Sequence, residues 1–318
     1  MCKIGEGEKG KCNARINVSG RLYTLTYGNI SAVESRPMEI KPFFHFLPGT
    51  TSITFSTYSC NLSCIWCQNW RISRALPPEN YELVPPQEIV RRAIKAKDAS
   101  TCASFNEPTL LFEYLLDLFP LAREHGLKNT MVSNGYMTPK ALKMLIDAGL
   151  DAINIDIKGN EEVYRDYCGG KSDKYVWKNI ELAARKIHVE VVNLLVTDVN
   201  DSEDDVIEVV EKHLKYAGSS VPIHFTRYFP AFMFSKPPTA IPKLEKAVEI
   251  AKREGIEFAY IGNVPGHRYE NTYCPNCKAV LIKRYHFSVI EDRTKNGKCP
   301  ECGKEIYGVW KNNKNHRV

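Results

Sequence analysis

Cys60, Cys64 and Cys67 lie within one short segment, Tyr58-Ser-Cys-Asn-Leu-Ser-Cys-Ile-Trp-Cys-Gln-Asn-Trp70. Thiolates at these spacings can hold three corners of an iron–sulfur cube and leave one iron without a protein ligand. Clusters that only pass electrons are usually held by four cysteines. An open iron is where a chelating small molecule binds, so the missing ligand points to chemistry. Two other readings compete. Spacings of four and three also make a helical stripe, which would bury the three as core cysteines. Zinc would want a fourth ligand close by. The polar Asn61, Ser63, Gln68 and Asn69 favour a wrapped loop over a core helix, and so a metal.

Four more cysteines form two knuckles, Cys274-Pro-Asn-Cys277 and Cys299-Pro-Glu-Cys302. That spacing predicts a zinc-ribbon-like site holding Zn²⁺, closed and structural, in a segment too small to fold on its own core. A second iron site, as an auxiliary cluster or a rubredoxin-like iron, is the alternative. Lys283, Arg284 and Tyr285 leave an RNA-binding ribbon open as well. Cys2 and Cys12 are spare. Cys102 and Cys168 are expected in the core, although Cys168 precedes Gly169-Gly170 and has a second expectation near the site.

The elements that must position these groups follow a regular order. Residues 1–50 form a β-rich lead-in, with a strand expected over 21–27 and a packed aromatic loop over 41–49. Residues 51–262 alternate strand and helix. Strands are expected at 52–58, 99–105, 129–133, 152–157, 189–197, 223–228 and 258–261. Helices are expected at 87–97, 110–125, 139–148, 173–186, 203–216 and 242–253. Pro139 and Pro242 suit first helical turns, and Gly126, Gly149 and Gly255 suit stops. This alternation predicts a parallel sheet, open or barrel-like, with function at the carboxyl ends of its strands. Residues 263–318 read as a four-cysteine ribbon with a basic tail at Lys311, Lys314 and Arg317. The formal charge of +6 is mild. No run is apolar enough to span a membrane, no secretory leader is evident, and clustered cysteines fit a reducing cytoplasm, where metal is favoured over disulfides.

Polar groups gather at the strand ends: Phe105-Asn106-Glu107-Pro108, Val132-Ser133-Asn134-Gly135, and Asp156-Ile157-Lys158-Gly159. Each has an ordinary alternative in a helix start, a turn or an exposed ion pair. Further on, Arg227 could face a cofactor or substrate, while His224 is expected to be a satisfied core residue.

Cysteines at 60, 64 and 67 with Trp66 before the last, placed after a first strand, resemble the radical S-adenosylmethionine (SAM) signature. Cys67-Gln-Asn-Trp70, Phe105-Asn-Glu-Pro108, Ser133-Asn-Gly-Tyr-Met-Thr-Pro139, Asp156-Ile-Lys-Gly159, Cys168-Gly-Gly170 and Gly262-Asn-Val-Pro-Gly266 are similar to the AmmeMemoRadiSam-system proteins, relatives of pyruvate formate-lyase activating enzyme. The resemblance implies a partial (β/α)6 barrel and a [4Fe–4S] cluster on the three cysteines. It places Trp66 near the SAM adenine, Glu107 and Asn106 by the amino group, and Lys158 by the carboxylate. Ser133 and Asn134 stand in the activating enzymes' Thr-Asn-Gly element. Asp156 would help bind a cation, of which another ligand falls at Val132. The implied reaction is reductive cleavage of SAM to methionine and a 5′-deoxyadenosyl radical that takes hydrogen from a substrate. A glycyl-radical-enzyme-like protein would be that substrate, and ferredoxin or flavodoxin the electron donor. RNA or a small metabolite as substrate, and a non-enzymatic iron–sulfur or zinc interaction protein, are the alternatives.

Overall fold

The computed structural model describes residues 2–311, so Lys314 and Arg317 of the basic tail lie outside them. The lead-in opens with an antiparallel hairpin of β1 (Arg15–Val18) and β2 (Arg21–Thr24). Its Ser19-Gly20 turn has φ of 53° and 76°, the positive pair a two-residue hairpin needs. The strand expected over 21–27 is therefore shorter. β3 (Ala32–Pro37) did not stand out in the sequence, yet it pairs antiparallel with β4 (Thr51–Ser56). Its Glu34, Arg36 and terminal Pro37 suit an edge strand.

After β4 come β5 (Ser100–Ala103), β6 (Lys128–Ser133), β7 (Ala152–Ile157), β8 (His188–Leu195), β9 (Ile223–Arg227) and β10 (Ala259–Gly262). Each is parallel to its neighbour, and they stand in chain order. The order never reverses, so the sheet is not doubly wound. The strand β10 extends the six expected units because Phe258 and Tyr260 carry the C-terminal ribbon.

The helices are α1 (Trp70–Ser73), α2 (Pro86–Ala96), α3 (Phe112–Glu124), α4 (Pro139–Ala148), α5 (Glu161–Asp166), α6 (Lys174–Ala184), α7 (Glu203–Tyr216) and α8 (Ile241–Arg253). The long helices pack against the sheet and successive ones touch, as expected of crossovers between parallel strands taken in chain order. Local chemistry fixes their ends. Thr138 caps α4 by accepting from Ala141 N, Pro139 opens it, and Gly149 closes it at φ 119°. Ser202 and Asp205 form a capping box on α7. The helix expected over 110–125 begins instead with a 3-10 turn, Pro108–Leu111.

The two faces of the sheet differ. Toward the helices point Phe55, Met131, Ile155, Val191 and Phe225, all in one apolar core. The alternate residues Thr54, Cys102, Thr130, Asn154, Glu190 and His224 are buried and mostly polar. At the amino-terminal end of the strands, Glu190 gathers four donors. They are His188 Nε2 at 3.1 Å, His224 Nε2 at 2.8 Å, Phe44 N at 3.0 Å and His45 N at 2.8 Å. Burial opposes the charge on Glu190, but His188 and His224 hold the carboxyl well below the usual carboxylate range. His224 is thus a satisfied core residue. This floor is closed from outside by the ribbon, built on β11 (Thr272–Tyr273), β12 (Val280–Tyr285) and β13 (Ser288–Asp292). Arg284 Nη2 donates to Phe44 O at 2.7 Å, and His45 Nδ1 donates to Tyr307 O at 2.6 Å.

Candidate metal and cofactor site

The cysteine loop leaves the carboxyl end of β4 through Ser59, held at φ 69°. Asn106 fixes this start by donating Nδ2 to Thr57 O and Ser59 O, both at 2.7 Å. Phe105 adopts φ 70°, a conformation glycine takes freely and phenylalanine rarely does. Asn69 Nδ2 donates to its carbonyl. The chain therefore holds a left-handed turn here at a residue other than glycine.

A second strand end locks the first cysteine. Asn134 Nδ2 donates to Asn61 Oδ1 at 2.8 Å and reaches Cys60 Sγ at 3.8 Å. Asn61 Nδ2 donates to Tyr136 O at 2.8 Å. Gly135, at φ 67°, leaves no room for a side chain, since a Cβ would stand 2.8 Å from Ile155 and Val176. Glu107 holds the whole corner. It is fully buried and accepts from Thr109 N, Thr109 Oγ1, Ser133 Oγ and Asn134 N at 2.7–3.1 Å. Its carboxylate is occupied by protein donors, and it acts as a staple between the ends of β5 and β6.

On the far side, Ser63 N donates to Cys168 O at 2.6 Å and Ile65 N to Tyr167 O at 3.1 Å. Arg74 Nη2 donates to Leu62 O, and Met233 N to Ile65 O, both at 2.9 Å. The loop is pinned on three sides with no helix through its cysteines. The neighbouring Cys168 thiol, against burial and with help from Lys158, brings Cys64 down to about 7. Burial, with the nearby Glu107 charge, pushes Cys60 up to about 12. Trp66 is 3% exposed and packs on Tyr167 and Phe234. Its surroundings are those of a core tryptophan.

Asp156 and Lys158 end β7 together, with Nζ to Oδ2 at 2.6 Å. Burial works against the ammonium, but Asp156 and Cys64 keep Lys158 well above its ordinary range, so it is charged. Asp156 Oδ1 and Asn106 Oδ1 are buried acceptors without a donor. An unpaired acceptor at the carboxyl end of β5, and another with a half-buried cation at the end of β7, are groups of the kind that suit the ammonium and carboxylate of an amino acid, as SAM carries. Arg227 turns elsewhere: Nε donates to Thr239 O at 2.9 Å and the guanidinium lies over Phe229. A surface cleft of about 460 Å³ lies beside Tyr27, Gln87 and Asp117 and includes none of these groups.

Cys274, Cys277, Cys299 and Cys302 converge, with all four sulfurs within 4.8 Å of one another. The pairs Cys274–Cys302 and Cys277–Cys299 stand 3.6 Å apart. Sulfurs about 2.3 Å from one tetrahedral ion lie about 3.8 Å from each other. The site therefore fits a single ion, and is too tight for the corners of an auxiliary cluster. Each knuckle ends in the same left-handed residue, Lys278 at φ 62° and Gly303 at φ 73°. Cys60, Cys64 and Cys67 do not form a group of that tightness among the described residues, nor do Cys2 and Cys12. Cys102 is fully buried on the polar face of the sheet.

Sequence reasoning missed Asn61, Asn69, Tyr136 and Arg74 as supports of the loop. Only the asparagines beside the cysteines carried a signal.

Comparison with known proteins agrees. Residues 54–212 match the family profile of the Radical SAM superfamily. A Methanocaldococcus jannaschii protein described as uncharacterized is 41% identical over 310 residues, covering 96% of this chain and 92% of its own. Another protein of that organism, provisionally named a glycyl-radical enzyme activating enzyme, is 26% identical over 53% of this chain and 70% of its own. In fold, a radical SAM methyltransferase from Sphaerobacter thermophilus aligns at TM-score 0.50 and 16% identity, over 68% of this chain and 67% of its own. No helix among the described residues is long and apolar enough to cross a membrane. The matched cysteine loop, the run of parallel strands and the near full-length relative together make this chain an enzyme of the radical SAM superfamily.

Proposed function

We propose that Cys60, Cys64 and Cys67 hold a [4Fe–4S] cluster with SAM beside it, and that the chain acts on a protein substrate in the manner of an activating enzyme. When bound, the pair supplies one-electron reduction of the sulfonium, giving methionine and a 5′-deoxyadenosyl radical that abstracts hydrogen. The observation that carries this reading is the pinned three-cysteine loop beside Asp156 Oδ1, Asn106 Oδ1 and the charged Lys158. In it, Asn106 and Glu107 hold the two strand ends that fix the loop. Lys158 binds the cofactor carboxylate, and the orphaned acceptors of Asp156 and Asn106 bind its ammonium. The Ser133–Asn134 turn keeps Cys60 in place.

A protein substrate is supported by the strap over 229–234. Phe229, Phe232 and Met233 are exposed there, Phe232 stacks on Trp70, and Met233 is bonded to the cysteine loop. Aromatic, methionine and arginine side chains of this kind are those enriched in protein interfaces. Ferredoxin or flavodoxin would supply the electron, and zinc would fill the four-cysteine ribbon. Anaerobically reconstituted protein given dithionite and SAM should form 5′-deoxyadenosine and methionine, and Cys60→Ala should not. Absence of 5′-deoxyadenosine from cluster-loaded wild type would defeat the proposal.

A further inference from the structure

The chain's excess charge is concentrated at one end. Residues 263–318 hold eleven lysines and arginines against five acids, whereas residues 1–262 hold 32 of each, so the ribbon and its tail carry the whole +6. A divalent ion on four thiolates brings a net negative charge of about two and leaves the ribbon basic. Part of the charge is neutralised locally: Arg293 pairs with Glu301, Lys298 with Glu305 and Lys304 with Glu257. Arg284, which the sequence offered to RNA, is buried in the floor.

Other cations gather on a row of tyrosines where α8 meets the ribbon. Lys252 Nζ, in the last turn of α8, lies 4.2 Å from the ring centre of Tyr269 and 5.9 Å from that of Tyr273. The Arg268 guanidinium stands 4.8 Å from the same Tyr269 ring. Lys278 follows the first knuckle, its Nζ donating to Pro275 O at 2.6 Å. Among the described residues Lys252 and Lys278 form no ion pair. Arg268 has only a long one, 3.9 Å to a Glu245 that His267 also contacts. Burial, then Lys278 and Arg268, draw Lys252 below the ordinary lysine range, as happens when cations gather without an anion. Tyr285 continues the row. Its ring lies against Gly266, where a Cβ would stand 3.1 Å from it, and it is 61% exposed. Cations held on aromatic rings, beside a ring free to stack, are the parts of a surface for single-stranded nucleic acid. An acidic protein face would use the cations and leave that ring without a partner.

We propose that this face of α8 and the ribbon binds single-stranded nucleic acid, with Lys252, Arg268 and Lys278 on its phosphates and Tyr285 stacked on a base. None of these residues belongs to the cysteine loop or to the strand ends around it, so the inference is independent of what the radical attacks.

The test is fluorescence anisotropy of the full, metal-loaded chain with labelled polyuridine of roughly twelve nucleotides, a length one small domain can cover. Polydeoxythymidine and a DNA duplex of the same length are the comparisons, and polyglutamate is the competitor. Polyuridine should bind, with affinity falling on added salt at a log–log slope of about −2, as three phosphate contacts on a single strand require. Lys252→Gln and Lys278→Gln should each flatten that slope by about 0.7. Tyr285→Ala should weaken binding roughly five- to a hundredfold with the slope unchanged. Thermal melting and metal content verify the fold of each variant. If Lys252→Gln disturbs the end of α8, Lys278→Gln and Tyr285→Ala, both on exposed ribbon residues, carry the comparison. Binding of polydeoxythymidine as well supports the shared chemistry, and the tighter of the two names the source. Absence of binding at low salt overturns the inference, as do unchanged slopes in the lysine variants or an unchanged affinity in Tyr285→Ala. Tighter binding of the duplex, or displacement by polyglutamate as readily as by unlabelled polyuridine, overturns it in favour of a general polyanion or acidic-protein face.

Discussion

Replacing Glu190 by glutamine should weaken the whole fold while leaving the cysteine loop intact. Each carboxylate oxygen of Glu190 takes one backbone N–H and one imidazole N–H: Oε1 from His45 and His188, Oε2 from Phe44 and His224. A glutamine offers one oxygen and one NH₂. Whichever way it turns, the NH₂ faces a backbone N–H that cannot accept. The imidazole can change tautomer, but the backbone cannot. Leaving one buried N–H without an acceptor costs about 1–3 kcal/mol. Turning the remaining charge-assisted bonds into neutral ones weakens them by about half, and together these suggest a loss of about 3 kcal/mol. For a chain of 318 residues that lowers Tm by roughly 4–5 °C. The assay is thermal and urea unfolding of wild type and Glu190→Gln at equal metal content. The site lies at the strands' opposite end from Cys60, so iron uptake by the variant should match wild type at low temperature. A stability change under about 1 kcal/mol would refute an ionised, four-donor Glu190.

Three further outcomes are expected. Burial lowers His45 to about 3 and His213 to about 4, from an ordinary 6.5. The unfolded chain then takes up protons that the folded one refuses, so stability falls as pH drops from about 6.5 toward 4. Glu39 and Glu107, which burial raises, act in the opposite sense. His213→Gln should therefore reduce the slope of stability against pH by about 1.4 kcal/mol per unit near pH 5, and an unaltered slope would count against the assignment. Cys299→Ser should lose the ribbon metal and lower Tm on the order of 10 °C, because Tyr307 and Arg284 then release His45 and Phe44 at the floor. Lys158→Ala should weaken SAM binding by about ten- to a hundredfold in equilibrium dialysis with iron content unchanged, as loss of a charged hydrogen bond requires. Equal affinity would remove Lys158 from the carboxylate site.

The sheet was legible because β4 to β10 are separated by helices whose caps and prolines stand in their expected places. The two cysteine groups stood out because their members are close in the chain, and the structure brings Cys274, Cys277, Cys299 and Cys302 together. The hairpin strand β1 and the edge strand β3 were not, being short and partly charged, with a partner that sets them rather than their own pattern. The floor was hidden for a different reason. Glu190 lies 146 residues from Phe44 and 34 from His224, and only the assembled sheet brings them together. Around Glu107 the sequence showed a carboxylate beside proline at a strand end, but not its donors Thr109, Ser133 and Asn134, two of which come from the next strand end. Trp66 is similar, since spacing places it by the cysteines but does not show that it packs on Tyr167 and Phe234. For Cys168, the Gly-Gly pair was the only trace of its approach to the loop.

The measurement that bears most directly on the central claim is the magnetic resonance spectrum of the dithionite-reduced protein, prepared without oxygen, with and without SAM. Iron and acid-labile sulfide should be present in equal amounts, the signal should be that of a reduced cube, and SAM should shift it because one iron is open to a ligand. A spectrum that SAM leaves untouched, or protein that binds iron without sulfide, would contradict the account.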